Sequence, residues 1–155
     1  MKGSEIVIKV LNDLLADELT AVNQYMVHAG MCENWGYEKL HGKIEKRAIE
    51  EMKHAEMLIN RVLFLNGIPM VSKLNKITIG AKVEEQIKND ISAEVGAIAA
   101  YNAAVKTCMN EADNGSRELL EHILKDEENH LDWLEAQADQ IDQMGIKYYL
   151  VEQVE

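Results

Sequence analysis

The chain has 155 residues and a formal net charge of −11, from 27 acidic and 16 basic side chains. That charge argues against nucleic acids and anionic membranes as partners. Glycine is sparse, Pro69 is the single proline, and Ala, Leu, Ile, Glu and Lys dominate, so an all-helical protein is predicted. The length suits one domain, residues 1–155, with a substantial core.

The amino terminus, Met1 to Lys9, lacks the apolar core of a signal peptide, and no apolar run approaches the roughly 18 residues of a membrane-spanning helix. We therefore expect a cytoplasmic protein. Cys32 and Cys108 fit a reducing compartment, because each stands alone at an apolar helical position; a redox pair is the alternative. Without a secretory signal, Asn114-Gly115-Ser116 is interpreted as a turn rather than a glycosylation site.

Ser4 is predicted to cap a first helix that ends near Asn34. Gly36 separates it from a second helix, predicted from about Glu38 to Asn66. The inner stripe of the first helix alternates four- and three-residue steps, as in a helix bundle: Leu11, Leu15, Glu18, Val22, Tyr25 and Ala29. The second helix has a matching stripe: Ile44, Ala48, Glu51, His54, Ala55, Leu58, Val62 and Leu65.

A third helix is predicted from about Val83 to Ala112, with the stripe Ile87, Ile91, Glu94, Ile98, Tyr101, Val105 and Cys108. After a turn, Ser116 is predicted to cap a fourth helix that runs to about Met144. Its stripe is Leu120, Leu124, Glu127, His130, Leu131, Leu134 and Ile141. A short amphipathic tail, Ile146 to Val154, predicts a fifth helix.

The connections between the predicted helices indicate their topology. Short turns join the first two helices and the last two, so each pair should be antiparallel neighbours. The segment from Gly67 to Lys82 is longer, and at ~3.3 Å per extended residue it can reach about 50 Å, the full length of a bundle. These lengths predict a ferritin-like four-helix bundle with a long crossover between the second and third helices.

The main candidates for metal ligands are two mid-helix Glu-x-x-His motifs, Glu51 with His54 and Glu127 with His130. An offset of 76 residues superimposes one motif on the other, and the same offset pairs Glu18 with Glu94. The chain is therefore two copies of one helical hairpin. Four carboxylates and two imidazoles on inner faces are the ligand set of a di-iron carboxylate bundle.

Burying an unpaired carboxylate costs several kcal/mol, which a bound cation would offset. Mixed oxygen and nitrogen ligands suit iron or manganese. We assign bridging roles to Glu51 and Glu127 and a terminal role to each remaining acid. The full set of predicted ligands is Glu18, Glu51, His54, Glu94, Glu127 and His130.

Other candidate residues carry weaker signals. Glu38-x-x-His41 has the same spacing, but it lies near a helix end, so we interpret it as surface; an accessory ion site that also uses His28 is the alternative. Tyr25 and Tyr101 lie two turns from the predicted ligands. Packing is the preferred interpretation of both tyrosines, and electron transfer is the other.

Met52 breaks the internal repeat, since its counterpart is Glu128. It is adjacent to the inward Glu51 and must therefore point about 100° around the helix, away from the core. There it joins an extra apolar stripe of Ile49, Ile59 and Leu63, and the first helix has a matching outer set, Leu19, Asn23 and Met26; the other hairpin lacks both. Such a stripe predicts a buried partner surface, most simply in a two-fold homodimer. From the residues alone, packing is the preferred interpretation of Met52, and a role as metal ligand is the alternative.

Seven short stretches resemble bacterioferritin and keep its register over nearly the whole chain. They are Met1-Lys2-Gly3, Asn23-Gln24-Tyr25, Trp35-Gly36, Glu51-Met52-Lys53-His54-Ala55, Arg61-Val62-Leu63-Phe64-Leu65, Asp126-Glu127-Glu128-x-His130 and Trp133-Leu134-Glu135. The resemblance implies a cage of 24 subunits, each with a dinuclear ferroxidase centre that oxidises Fe²⁺ with O₂ or H₂O₂ before the iron is stored as a ferric mineral. It also implies a haem b between paired subunits, ligated by Met52 of both, and a small ferredoxin as reductant.

The chain departs from that family pattern in two places. Lys46 and Glu50 stand where some relatives have the His and Asp of an inner-surface iron site, so that accessory site is in doubt. Tyr101 replaces an aliphatic residue. Two other classes stay open: a rubrerythrin-like di-metal enzyme, for which the Cys-x-x-Cys pairs of a rubredoxin domain are lacking, and a structural bundle, for which basic residues on the inner stripes are lacking.

Overall fold

The computed structural model describes residues 1–155 as five helices and no strand. The helices are α1 (Glu5–Asn34), α2 (Glu38–Phe64), α3 (Val83–Asn110), α4 (Asn114–Met144) and α5 (Ile146–Val151). None of them has a stretch with the length and apolarity required to cross a bilayer. The predicted all-α fold, with four long helices and a short fifth, is confirmed, although α5 ends three residues before Val154.

Helix ends follow local backbone chemistry. Ser4 caps α1 as predicted, and its Oγ accepts a hydrogen bond from the Val7 N–H. The ends predicted for α2 and α3, Asn66 and Ala112, are each two residues too late. Both residues have a left-handed φ, 59° and 55°, which stops the helical hydrogen bonding before them.

The predicted cap of α4 is wrong. Asp113 caps this helix, because its Oδ1 accepts a hydrogen bond from the Ser116 N–H at 2.9 Å. Ser116 lies inside the first turn, and its hydroxyl donates to Asp113 Oδ2 at 2.7 Å. The Asp113 carboxylate also accepts a hydrogen bond from Arg61 Nη2 at 2.9 Å. A carboxylate satisfies all three donors at once, which a serine hydroxyl does not.

The hydrogen bonds between α1 and α3 show that these helices are antiparallel. Near the end of α1, Gln24 Nε2 donates to Asp90 Oδ1 near the start of α3. Nearer the start of α1, Glu18 accepts a hydrogen bond from the Tyr101 hydroxyl, further along α3. Rising residue numbers in α1 therefore meet falling numbers in α3.

The same order holds between α2 and α4, where His54 meets Asp126 and Arg61 meets Ser116. The main helix contacts are α1 with α2 and α3 with α4. Since α1 is antiparallel to both α2 and α3, the second and third helices run parallel. The ferritin-like topology is thereby confirmed.

Two apolar clusters fill the bundle, one on each side of its middle. The first includes Leu11, Leu58 and Leu120, and the second includes Ile44, Ile87 and Leu134. Cys108 lies buried in the first cluster and Cys32 in the second, and both thiols are free. The alternative that they form a redox pair is therefore wrong. The predicted ligands lie between the clusters.

The crossover, residues 65–82, runs along the outside of α1 in the same direction. Its backbone binds a row of polar α1 side chains: the Met70 N–H donates to Asn12 Oδ1, the Asn75 N–H to Thr20 Oγ1, the Thr78 N–H to Gln24 Oε1, and the Gly80 N–H to His28 Nε2. These side chains satisfy an extended backbone that has no neighbouring strand.

His28 is the most buried of these anchors. Its Nε2 accepts the Gly80 N–H at 3.1 Å, so its Nδ1 carries the proton and donates it to Asp90 Oδ1 at 2.9 Å. Burial raises the pKa of Asp90, while the hydrogen bond from His28 acts to lower it. Both ring nitrogens of His28 are committed to these contacts, so neither is left for an ion site shared with His41.

We expect His28→Leu to free the crossover at Gly80. The substitution removes the acceptor of the Gly80 N–H, so amide hydrogen exchange there should quicken at least tenfold, which corresponds to a loss of about 1.4 kcal/mol in local stability. Hydrogen–deuterium exchange with overlapping peptides measures this change.

Thr20→Val is the matched control, because it removes the acceptor of the Asn75 N–H and should quicken exchange at Asn75 while leaving Gly80 protected. Unchanged exchange at Gly80 in His28→Leu would show that this histidine does not anchor the crossover.

Candidate metal centre

Six acidic and imidazole side chains from all four long helices meet between the two apolar clusters, each at most 5% exposed. They are Glu18 of α1, Glu51 and His54 of α2, Glu94 of α3, and Glu127 and His130 of α4. The sequence predicts this same set, and the structure brings all six together. Each sits at the point where the acid interrupts the apolar stripe of its helix.

The six side chains form two overlapping groups of potential metal ligands. Glu18 and His54 belong to one group and Glu94 and His130 to the other, while Glu51 and Glu127 belong to both. Within each group the ligand atoms lie within 4.8 Å of one another. The arrangement can hold two cations side by side, with two carboxylates available to both.

Each of the six side chains has a buried polar atom that makes no hydrogen bond in the protein. These atoms are Glu18 Oε2, Glu51 Oε1, His54 Nδ1, Glu94 Oε2, Glu127 Oε1 and His130 Nδ1. His54 Nδ1 comes within 2.9 Å of Glu127 Oε1, and His130 Nδ1 within 3.0 Å of Glu51 Oε1, at angles that do not suit hydrogen bonds. Buried polar atoms without partners are costly, so this donor set fits bound cations.

Two tyrosines bind Glu18 and Glu94, the acids that each belong to only one of the two ligand groups. The Tyr25 hydroxyl donates to Glu94 Oε1 at 2.5 Å, and the Tyr101 hydroxyl donates to Glu18 Oε1. Each of these carboxylates thus has one oxygen bound to a phenol and one oxygen facing the centre. The packing interpretation of Tyr25 and Tyr101 is incomplete, because it omits these hydrogen bonds.

Each imidazole contacts a half-exposed acid through Nε2, on the side of the ring away from the centre. Glu50 Oε2 lies 2.5 Å from His130 Nε2, and Asp126 Oδ2 lies 3.0 Å from His54 Nε2. A carboxylate at Nε2 keeps the proton there and leaves Nδ1 to the centre, as in carboxylate–histidine–metal groups. Sequence reasoning considered Glu50 only as part of a surface site with Lys46. Lys46 and Glu50 both line a small cavity beside Arg47 and Trp133.

Burial and mutual repulsion control the charges of the metal-free centre. Burial raises the pKa of Glu18 well above its usual value and that of Glu127 to about 12. Burial acts to lower the pKa of His130, but the Glu51 and Glu94 carboxylates raise it to about 9. Protons therefore occupy these side chains at neutral pH when no cation is bound.

Glu51 and His54 show the complementary behaviour. Burial acts to raise the pKa of Glu51, but the neighbouring Glu18 carboxyl group and the two imidazoles hold it far below its usual value. Burial acts to lower the pKa of His54, but Glu127, Glu18 and Glu51 raise it well above its usual value. The ionised Glu51 is thus balanced by imidazolium.

A cavity of about 270 Å³ between α1 and α3 leads to the centre from the side of the phenols. Its inner end is lined by Glu18, Glu94 and Glu127, and Asn75 and Lys76 of the crossover line it further out. Asn75 is fixed by its Nδ2, which donates to Asp17 Oδ1 at 2.5 Å. Carboxylates line this cavity, and its volume is large enough for hydrated ions or small oxidants.

The remaining candidate residues lie away from the centre. Glu38 is exposed, and the His41 ring binds the Ala29 carbonyl, so the Glu38-x-x-His41 motif is confirmed as a surface feature. Met52 is 54% exposed on the outer face of α2, next to a group of exposed apolar side chains. That group comprises Met26, Ile49 and Leu63, whereas Leu19 and Ile59 pack partly against the core.

The comparisons with known proteins agree with this geometry. The ferritin-like domain of the Ferritin family matches residues 8–144. A bacterioferritin from Brucella melitensis is 40% identical over 149 residues, which is 96% of this chain and 92% of the relative. The chain belongs to the bacterioferritin family. A bacterioferritin from Mycobacterium tuberculosis is 36% identical over 149 residues, which is 96% of this chain and 94% of the relative.

A bacterial ferritin from Synechocystis sp. is also 40% identical, over 155 residues and 99% of both chains. These bacterioferritin relatives span nearly the whole chain, so the resemblance noted in the sequence is confirmed. Family membership and the buried clusters of Glu and His side chains together support a role in iron storage.

We expect Glu127→Gln to change how the stability of the metal-free protein depends on pH. Because the pKa of folded Glu127 is about 12 and that of an unfolded glutamate is about 4.3, the folded state holds an extra proton between these values. Its stability therefore falls as pH rises, by up to about 1.4 kcal/mol per pH unit for this proton. Glutamine cannot ionise, so the variant should lose less stability between pH 5.5 and 8.5.

Differential scanning calorimetry in excess chelator measures this dependence. Glu38→Gln is the control, because Glu38 is an exposed acid of the surface Glu-x-x-His motif, and its curve should follow that of the unaltered protein. A Glu127→Gln curve parallel to that of the unaltered protein would contradict the raised pKa.

Proposed function

We propose that this chain is an iron-storage subunit whose dinuclear centre oxidises Fe²⁺ to Fe³⁺ with O₂ or H₂O₂ and passes it on as a ferric mineral within a 24-subunit cage. The observation that carries the proposal is the pair of overlapping ligand groups, in which every side chain has one buried polar atom without a hydrogen-bond partner in the protein. Membership in the bacterioferritin family supports the storage role.

The roles of the ligands follow from the two groups. Glu51 and Glu127 belong to both, so they would be shared by the two cations. Glu18 and Glu94 would each serve one cation through a single free oxygen, because a tyrosine holds the other oxygen. His54 and His130 would each supply Nδ1. Four carboxylates balance two divalent cations, which removes most of the cost of burying either.

The protein residues also account for the protons. The Glu18 and Glu127 carboxyl groups and the two imidazolium rings must release protons when Fe²⁺ binds, since cation and proton compete for the same atoms. Bound iron supplies the electrons: two Fe²⁺ ions reduce one H₂O₂, with two protons, to two water molecules. The cavity beneath the crossover gives ions and oxidant a route to the ligands.

A haem b shared by two subunits is the second part of the proposal. Met52 is exposed, and so are three other apolar side chains of the predicted partner surface, Met26, Ile49 and Leu63. A large exposed apolar patch marks a binding surface. Two copies of α2 related by a two-fold axis would place two Met52 sulfurs on opposite sides of a flat ligand, and the apolar residues would contact its ring. A small ferredoxin is the proposed reductant for iron release.

We expect Glu18→Ala to abolish rapid Fe²⁺ oxidation while the subunit still folds, because the variant loses a ligand of one cation and relieves repulsion among buried acids. Loss of a residue that holds a reacting ion should slow the reaction at least about 100-fold. Stopped-flow absorbance of the ferric product, with Fe²⁺ and O₂ or H₂O₂, measures the rate.

Glu38→Ala, in the surface motif, is the matched control and should oxidise iron at the unaltered rate. Normal rates in Glu18→Ala would overturn the centre. Bulk loading separates storage from simple oxidase activity: the unaltered protein should take up far more than two irons per subunit in large particles. Uptake that stops at two, without mineral, would favour a soluble di-metal oxidase.

We expect Met52→Leu to remove haem and to leave iron oxidation intact, because leucine keeps the apolar surface and lacks the sulfur ligand. Absorbance at the haem Soret band, measured on protein separated by size and scaled to protein concentration, gives the haem content. Met26→Leu is the control: it changes an exposed methionine on the same face and should keep its haem. A Met52→Leu protein with full haem would exclude Met52 as the ligand.

A further inference from the structure

Tyr101 is a fully buried tyrosine of α3 that lies in the apolar cluster containing Leu15, Ala104 and Cys108. Packing in this cluster accounts for its ring but not for its hydroxyl, since an aliphatic residue would fill the same kind of site. A hydroxyl buried without a hydrogen-bond partner destabilises the folded state. The Tyr101 hydroxyl has one polar partner, Glu18 Oε1.

Glu18 has few other restraints. Its Oε1 accepts the hydrogen bond from Tyr101, and its Oε2 is the buried oxygen without a partner that faces the centre. The nearest basic atom to Oε2 is His54 Nδ1, 3.7 Å away and too distant for a hydrogen bond. Burial raises the Tyr101 pKa well above its usual value, so the phenol remains a donor at all physiological pH values.

The internal repeat gives Tyr101 a counterpart with the same geometry. Tyr25 lies 76 residues earlier, is equally buried, and donates to Glu94 Oε1, while Glu94 Oε2 lacks a partner. The two phenols thus have the same contact on opposite halves of the centre. Resemblance to bacterioferritin leads us to expect only an aliphatic residue at position 101, so this second phenol is a feature of the chain itself.

We propose that Tyr101 is a positioning residue that keeps Glu18 a single-oxygen ligand of the cation it shares with His54, and so matches the support that Tyr25 gives to Glu94. The proposal rests on the proposed dinuclear centre and adds the residue that orients one of its terminal ligands. Without the phenol, both oxygens of Glu18 are free, and the carboxylate can rotate to chelate its own cation or move towards the second.

The test is a titration of the metal-free protein with Co²⁺, followed by the visible absorbance of the bound ion and by calorimetry, so that binding is measured without turnover. The His130→Ala variant keeps all four ligands of the cation position that contains Glu18. In this background, Tyr101→Phe should weaken Co²⁺ binding about tenfold. Tyr25→Phe should leave it within a factor of about two. The His54→Ala variant keeps all four ligands of the cation position that contains Glu94. In this background, Tyr25→Phe should weaken Co²⁺ binding about tenfold, and Tyr101→Phe should leave it within a factor of about two.

The unaltered protein provides a second arm. It should bind two Co²⁺ per subunit, and Tyr101→Phe alone should bind one ion with unchanged affinity and the other more weakly. A Tyr101→Phe effect of equal size at both positions, or at neither, would overturn the assignment. Failure of the unaltered protein to bind two Co²⁺ would overturn the dinuclear centre and, with it, this role of Tyr101. Circular dichroism of each variant confirms that its helices are intact.

Discussion

Four carboxylates buried in the middle of a helix bundle are the constraint on which the rest of this structure depends. Without a counter-charge, each would cost several kcal/mol in a protein whose whole stability is about 5–15 kcal/mol. The metal-free fold limits this cost with protons, which Glu18, Glu127 and the two histidines retain at neutral pH. Cations and protons compete for the same ligand atoms. The same burial therefore creates both the instability and the affinity for metal.

The internal repeat gives four of the six candidate ligands, Glu18, Glu94, His54 and His130, a support from the opposite hairpin. A tyrosine of one half holds an acid of the other, as in Tyr101 with Glu18, and an acid of one half holds an imidazole of the other, as in Glu50 with His130. The centre therefore forms only when both hairpins have packed correctly. The outer surfaces are not repeated: Met52 is apolar where its counterpart Glu128 is charged, so one hairpin alone presents an apolar face.

The sequence predicted the bundle, its crossover and all six candidate ligands, because an acid in an apolar stripe interrupts the stripe visibly. It did not predict the supports. Tyr101 fits the apolar periodicity, so its hydroxyl contact is invisible there, and Glu50 occupies a helix position typical of solvent. Ser116 was wrongly predicted to cap α4. Asp113 caps this helix and also binds Arg61, which is distant in sequence, so the local pattern does not show that contact. Only the repeat offset, which pairs Glu50 with Asp126 and Tyr25 with Tyr101, contained a signal for these roles.

The crossover gives the centre two different sides. On the α1–α3 side, the terminal acids line a cavity bordered by the crossover, whose Asn75 is held by Thr20 and Asp17. On the α2–α4 side, the imidazoles are backed by Glu50 and Asp126, which are 35% and 40% exposed. Because a long connection is needed wherever the second and third helices run parallel, the topology that aligns the ligands also covers one side of the centre and leaves the other bordered by carboxylates in contact with solvent.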